Sequence, residues 1–177
     1  MVIVCGIDGS ASSHAAARAS AALGKLLREP LELVHVQEAL VFSIDPVTGG
    51  LPVALANTTL LDQERERIKK ELAREADELA ERFGIEVSHT VRAGLPDQEL
   101  VQVAKEDEAG LLVVGSIGRR AATMWRLGSV ADRLSQSSPV PLLVVRDPRA
   151  FVRWTEDKQP LGVVLIHEHL FVRDREL

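Results

Sequence analysis

The chain has 177 residues, 46% hydrophobic and 27% charged, and its 21 basic and 26 acidic side chains leave a net charge of −5. That is the length of about one domain with ordinary globular usage, which excludes a wholly disordered or collagen-like chain. No apolar run reaches the ~18 residues of a membrane-spanning helix, so no membrane partner is expected. Neither is nucleic acid: there is no clustered basic footprint, and the six aromatics (Phe42, Phe83, Trp125, Phe151, Trp154, Phe171) are too scattered for a stacking platform.

The start, MVIVCGIDGS, has no basic n-region and reaches Asp8 early, so a secretory signal is not expected. Cys5 is the only cysteine, which removes a disulfide framework and an all-thiolate zinc site. These features predict a cytoplasmic protein. Residues 2–7 (VIVCGI) form a short continuous apolar run, as a strand buried on both faces requires. Residues 10–28 open with cap-type serines and continue Ala/Leu-rich, predicting a helix. A second strand follows at 31–36 (LELVHV). Residues 37–59 have no steady period and hold Asp-Pro and Gly-Gly turn signals, so they read as a long loop.

Residues 60–83 predict a heavily charged covering helix, solvated on one side, with pairs such as Glu66–Lys70 at helical spacing. Then come a strand at 85–94, a helix from Pro96 to Ala109, a strand at 111–116 (LLVVGS), a helix beginning at Gly128–Ser135 and a strand at 140–146 (VPLLVVR). Strands separated by helices need crossovers. The fold class is therefore α/β: a doubly wound, five-stranded parallel sheet with helices on both faces.

The chain changes character near residue 146. From 146 to 177 six basic and six acidic side chains balance, so the whole −5 belongs to residues 1–145, while half of the aromatics lie in the tail. A segment this short cannot build its own core. Two units follow: a domain over 1–147 and an extension over 148–177.

The chemistry concentrates in GSIGRRAATMWRLGSVADRL (115–134). Gly115 and Gly118 follow a buried strand, where the absence of a Cβ allows a turn and a close ligand. Gly128-Ser129 opens a helix, offering free N–H groups, a hydroxyl and the positive end of the dipole, the ingredients of a phosphate cradle. Arg119, Arg120 and Arg126 lie in the same loop, and Trp125 either covers a ligand or packs within the loop. There is no Gly-Lys-Ser/Thr for a P-loop, and GIDGSAS is not a GxGxxG fingerprint.

The spacing Gly115-x2-Gly118-x9-Gly128-Ser129 resembles the nucleotide-binding signature of the universal stress protein family. Asp8-Gly9-Ser10 after the first strand, His35-Val36 ending the second and the closing VPLLVVR agree with it. The resemblance covers about residues 1–147 and implies the adenine-nucleotide α-hydrolase-like fold. It also implies ATP, alone or with Mg²⁺, as the ligand, and a homodimer through strand 140–146 with a contribution from the tail. It places Asp8 beside the ribose and phosphates, Val36 at the adenine edge, Gly115 and Gly118 under the ribose and phosphates, and Ser129 and Val130 at the phosphate oxygens, with Ser10, Arg119 and Gly128 also among the nucleotide-binding residues. Two residues keep a second reading: Asp8 as a cap for helix 10–28, and Val36 as ordinary core.

No catalytic residue and no metal ligand is assigned. His14 and His89 are read as surface or packing residues and Cys5 as an inert buried thiol. LGVVLIHEHLFVRDREL (161–177) is similar to the opening strand of phosphotriesterase-like metal hydrolases, in which a His-x-His binds metal; His167 and His169 share a strand face. Such a site is completed by an eight-stranded barrel of about 250 residues, so the segment reads as the start of a longer fusion, a remnant of one, or a coincidental likeness. The tail is therefore expected to be an added strand, 160–172, pairing with a sheet edge, that of a second chain. The expected function is a nucleotide-responsive, ATP-binding dimer with little turnover. A slow ATPase or nucleotidyl transferase and a nucleotide-free structural dimer are the alternatives.

Overall fold

Strands and helices alternate along the chain in the computed structural model, which describes residues 1–38, 58–118, 127–146 and 164–165. The strands β1 (Ile3–Ile7), β2 (Leu31–Glu38), β3 (Val87–Gly94), β4 (Leu111–Gly115) and β5 (Leu142–Val145) are linked by four helices. These are α1 (Ala11–Leu27), α2 (Thr58–Phe83), α3 (Pro96–Glu106) and α4 (Ser129–Ser137), and a two-residue strand, β6 (Val164–Leu165), follows. The elements lie where the apolar runs predict them, with shifted ends. The helix expected to reach Ala109 stops at Glu106 because Glu108 turns left-handed, at φ 49°.

The sheet order is β3-β2-β1-β4-β5-β6, and the first five strands are parallel. From β1 the chain winds outward to β2 and β3, then returns to β4 beside β1 and winds the other way. That reversal leaves a crevice at the carboxyl ends of β1 and β4, where open α/β sheets take their ligands. The expected doubly wound, five-stranded parallel fold is the one observed.

One face of the sheet packs Ile3, Cys5, Leu31, Leu33 and Val113 against α1 and α2; the other packs Val4, Val34, Leu112, Leu142 and Val144 against α3 and α4. Helix α1 meets the sheet through alanines (Ala15, Ala16, Ala17, Ala19 and Ala21), each at most 1% exposed. Side chains that small bring its backbone close to β4. β6 runs antiparallel to β5, with Leu143 opposite Leu165 and Val144 opposite Val164. The tail strand was expected on a second chain; its described residues pair with β5 of their own chain. His167, Glu168 and His169 lie outside the described residues, as do 39–57 of the expected long loop.

Candidate functional site

A cleft of about 470 Å³ opens over the carboxyl ends of β1, β2 and β4, within the ~300–1,000 Å³ of small-molecule sites. Asp8 leaves β1 at its floor. Its Oδ1 accepts the Ser10 amide at 3.0 Å, and Ser10 in turn caps α1, its Oγ accepting the Ser13 amide at 3.1 Å. The capping role left open for Asp8 thus falls to Ser10, and Asp8 braces the turn before it. The Ser10 hydroxyl also donates to the Ile117 carbonyl at 3.3 Å, which ties the β1 turn to the glycine loop.

The glycines of that loop differ in what they permit. A Cβ on Gly115 would stand 2.8 Å from the Ser12 carbonyl carbon and 2.9 Å from the Ser13 amide nitrogen, in the first turn of α1. Its missing side chain therefore serves helix–sheet packing before it serves any ligand. Among the described residues a Cβ on Gly118 would meet Asp8 Oδ2, at 2.9 Å, so the carboxylate lies directly against this bare backbone. The Gly128 amide donates to the Ser116 carbonyl at 2.8 Å, closing the loop and removing that N–H from the expected cradle. The cradle's donors begin one residue later. α4 starts at Ser129 with no side chain capping it, so its first amides lack intrahelical acceptors and carry the positive end of the dipole. Ser129, Val130 and Ala131 line the cleft. Arg119, with Arg120, Trp125 and Arg126, lies outside the described residues.

The opposite wall comes from β2. Pairing of β1 with β2 ends at Ile7 and His35, while β2 continues to Glu38 paired only with β3. From Val36 onward the flank of β2 that β1 covers lower down faces the cleft, with its backbone groups open to a ligand edge. Leu100 of α3 and Ile68 of α2 approach from the two faces of the sheet.

The reading of α2 as a purely covering helix missed Ile68 and Glu64, and His35 and Glu38 also line the cleft unpredicted. Length was the available signal. Twenty-six helical residues span about 39 Å at ~1.5 Å each, whereas the eight-residue β2 spans about 26 Å at ~3.3 Å each. The surplus overhangs the carboxyl end, and the apolar stripe of Leu72, Ala76 and Leu79 that packs on the sheet continues upward to Ile68. Around the cleft stand three carboxylates, Asp8, Glu38 and Glu64, with no lysine or arginine among the described lining residues. Among the described residues no three His, Cys, Asp or Glu side chains group into a metal site.

Of the other residues singled out, Cys5 is wholly buried, and burial pushes its thiol up to about 12. His14 is more than a surface residue: its Nδ1 lies 2.7 Å from Glu75 Oε1, joining α1 to α2, and that bond raises its pKa. His89 sits exposed on the outer strand β3. No described helix is long and apolar enough to cross a membrane.

Residues 1–146 match the model of the universal stress protein family. Universal stress protein YxiE of Bacillus subtilis is 33% identical over 143 residues, covering 79% of this chain and 95% of its own. Universal stress protein UspA from Lactobacillus plantarum superposes with a TM-score of 0.71 at 19% identity, over 82% of this chain and 97% of that one. A universal stress protein solved in complex with cAMP superposes with a TM-score of 0.58 at 25% identity, over 82% and 96%.

Proposed function

The chain belongs to the universal stress protein family, and on that basis we propose that it binds an adenine nucleotide, ATP foremost, at the carboxyl ends of β1, β2 and β4. The observation that carries this reading is the meeting of Gly118, Asp8 and the uncapped start of α4 at the point where the sheet reverses direction. Phosphate oxygens fit the amides of Ser129 and Val130, where unpaired donors and the helix dipole coincide. The base fits the open flank of β2 at Val36, between Ile68 and Leu100, and the ribose falls between them near Asp8. The relative solved with cAMP supports an adenine nucleotide in this fold.

A triphosphate facing Asp8, Glu38 and Glu64 needs positive charge beyond the helix dipole. Mg²⁺ brought in on the phosphates, or the loop arginines Arg119, Arg120 and Arg126, would supply it. Bound nucleotide stabilises the folded chain by mass action, since it binds only the folded cleft. That is the means by which this protein would respond to nucleotide level. The reading is of binding rather than turnover. Calorimetric titration with ATP, with and without Mg²⁺, tests it together with mass spectrometry of nucleotide released on denaturing the fresh protein. Adenine nucleotide in the extract and heat on titration are expected; neither, in protein shown to be folded, would sink the reading. Turnover within the ~1–10³ s⁻¹ of typical enzymes, lost in Asp8→Ala, would overturn the reading of binding without turnover, whereas turnover far below it would favour the slow-enzyme alternative.

A further inference from the structure

We propose that nucleotide binding in this cleft is linked to the uptake of a proton by His14, so that affinity falls as pH rises and the His14–Glu75 pair turns from neutral to negative. The inference rests on the reading of the cleft as a nucleotide site and adds the control of its affinity. Two walls of the cleft are helices, and this pair joins them. α1 reaches the cleft through Ser10 and Ser13, and α2 through Glu64 and Ile68. His14 stands one turn below that rim: its amide donates to the Ser10 carbonyl at 3.1 Å, and its ring Nδ1 lies 2.7 Å from Glu75 Oε1. Glu75 follows Ile68 by about two turns of α2, on the same side of the helix. The charged groups that face the ring are Glu75 from α2, Arg18 one turn along α1, and Asp8 from the turn after β1.

With the ring protonated, imidazolium and carboxylate cancel. With the ring neutral, Glu75 keeps a full negative charge behind the wall of a cleft that already holds Asp8, Glu38 and Glu64, and no lysine or arginine among its described lining residues. A phosphate chain brought there is repelled by each such charge. An ordinary imidazole makes the change near ~6.5. The hydrogen bond to Glu75 raises that value, helped by the charges of Glu75 and Asp8, against burial and Arg18. An anion that favours the protonated pair must, by reciprocity, draw a proton in as it binds. The ring is 43% exposed and Glu75 18%, so water and salt screen the pair, and the effect is about two- to fivefold at low salt.

Calorimetric titration with ATP tests this on the full chain as wild type, as His14→Gln, and as His14→Gln combined with Glu75→Gln, with circular dichroism to show that each is folded. The double variant is neutral at this place at every pH, and His14→Gln is negative at every pH. Wild-type affinity should match the double variant at about pH 5.5 and His14→Gln at about pH 9, on either side of the ordinary imidazole value of ~6.5. The two reference variants should differ by about two- to fivefold at low salt and converge at high salt. Comparison at fixed pH cancels the titration of the terminal phosphate, at ~6, and of His35, which also lines the cleft. Glu75→Gln alone removes the bond that raises His14 and should move the midpoint of the affinity change to lower pH. A wild type that keeps a constant ratio to both references across pH would overturn the inference, and so would two references of equal affinity. Either result, with ATP still bound, leaves the nucleotide reading standing; no heat from any folded form removes both.

Discussion

Gly115→Ala and Gly118→Ala are equal in chemistry and should separate the scaffold from the site. At Gly115 the added methyl lands 2.7 Å from Ser12 Oγ, 2.8 Å from the Ser12 carbonyl carbon and 2.9 Å from the Ser13 nitrogen. Two of those three atoms are backbone, in a helix turn fixed by the Ser10 cap, so they cannot swing aside as a side chain would. Overpacking costs about 1–3 kcal/mol, and a backbone contact puts this substitution in the upper half of that range. At ~2–4 °C per kcal/mol for a chain of this length, melting should fall by about 4–12 °C. At Gly118 the methyl meets, among the described residues, Asp8 Oδ2 at 2.9 Å, the end of a side chain rather than backbone. Its folding cost should stay within about 1 kcal/mol, while the displaced carboxylate and the new methyl obstruct the cradle. Nucleotide affinity should fall at least tenfold, or about 1.4 kcal/mol. Thermal denaturation and calorimetric titration of both variants provide the four numbers. Equal melting losses in the two variants would refute the packing argument, and unchanged affinity in Gly118→Ala would refute the placement of the phosphates.

Three further perturbations probe titrating and buried groups. Burial, then a hydrogen bond to Asp107 and its charge, push the Glu32 carboxyl from 4.5 up to about 7, against the pull of Arg92. The folded state then holds its proton more tightly than the unfolded one, so this group's contribution to stability fades as pH rises from 4.5 to about 7. Glu32→Gln should remove that slope and, at ~1.36 kcal/mol per pH unit discounted for a half-exposed carboxyl, stabilise the protein at neutral pH by about 1–2 kcal/mol. Urea denaturation of both forms across that range measures it. The raised His14, held mainly by its hydrogen bond to Glu75, has the same sign: its stabilisation is full below ~6.5 and lost as pH climbs through the folded value. A double-mutant cycle of His14→Ala and Glu75→Gln should give about 0.5–1 kcal/mol of coupling at pH 6 and none at pH 9. Cys5, its thiol pushed up to about 12 inside β1, should resist thiol reagents at neutral pH until urea unfolds the chain; rapid labelling of folded protein would contradict that burial.

The fold was legible because its strands are continuous apolar runs, and runs of that kind separated by helices leave little but a parallel sheet. Element ends were less so. β2 reaches Glu38 because β3 pairs with it all the way to Gly94, a partnership between distant segments that local pattern cannot announce. The helix after Pro96 ends early on the left-handed turn at Glu108, a conformation that a glutamate does not advertise. The tail could be read as a strand from its apolar run, but the choice between its own β5 and another chain's depends on three-dimensional reach, which composition does not carry.

The site was legible where backbone does the work and opaque where side chains arrive from a distance. Glycine spacing located the loop, since a position that rejects a Cβ has to be written as glycine. Yet Gly115 and Gly118 look alike in sequence and answer to different neighbours, one to α1 and one to Asp8. Gly128 stands just before α4, but its amide is bonded to the Ser116 carbonyl, so the helix-start donors begin at Ser129. Glu64 and Ile68 were hidden by the charge around them: in DQERERIKKE a single isoleucine among eight charged residues reads as incidental. It acquires meaning only when the helix is laid against a shorter sheet, because the apolar stripe of α2 then runs on past the packed core to the cleft.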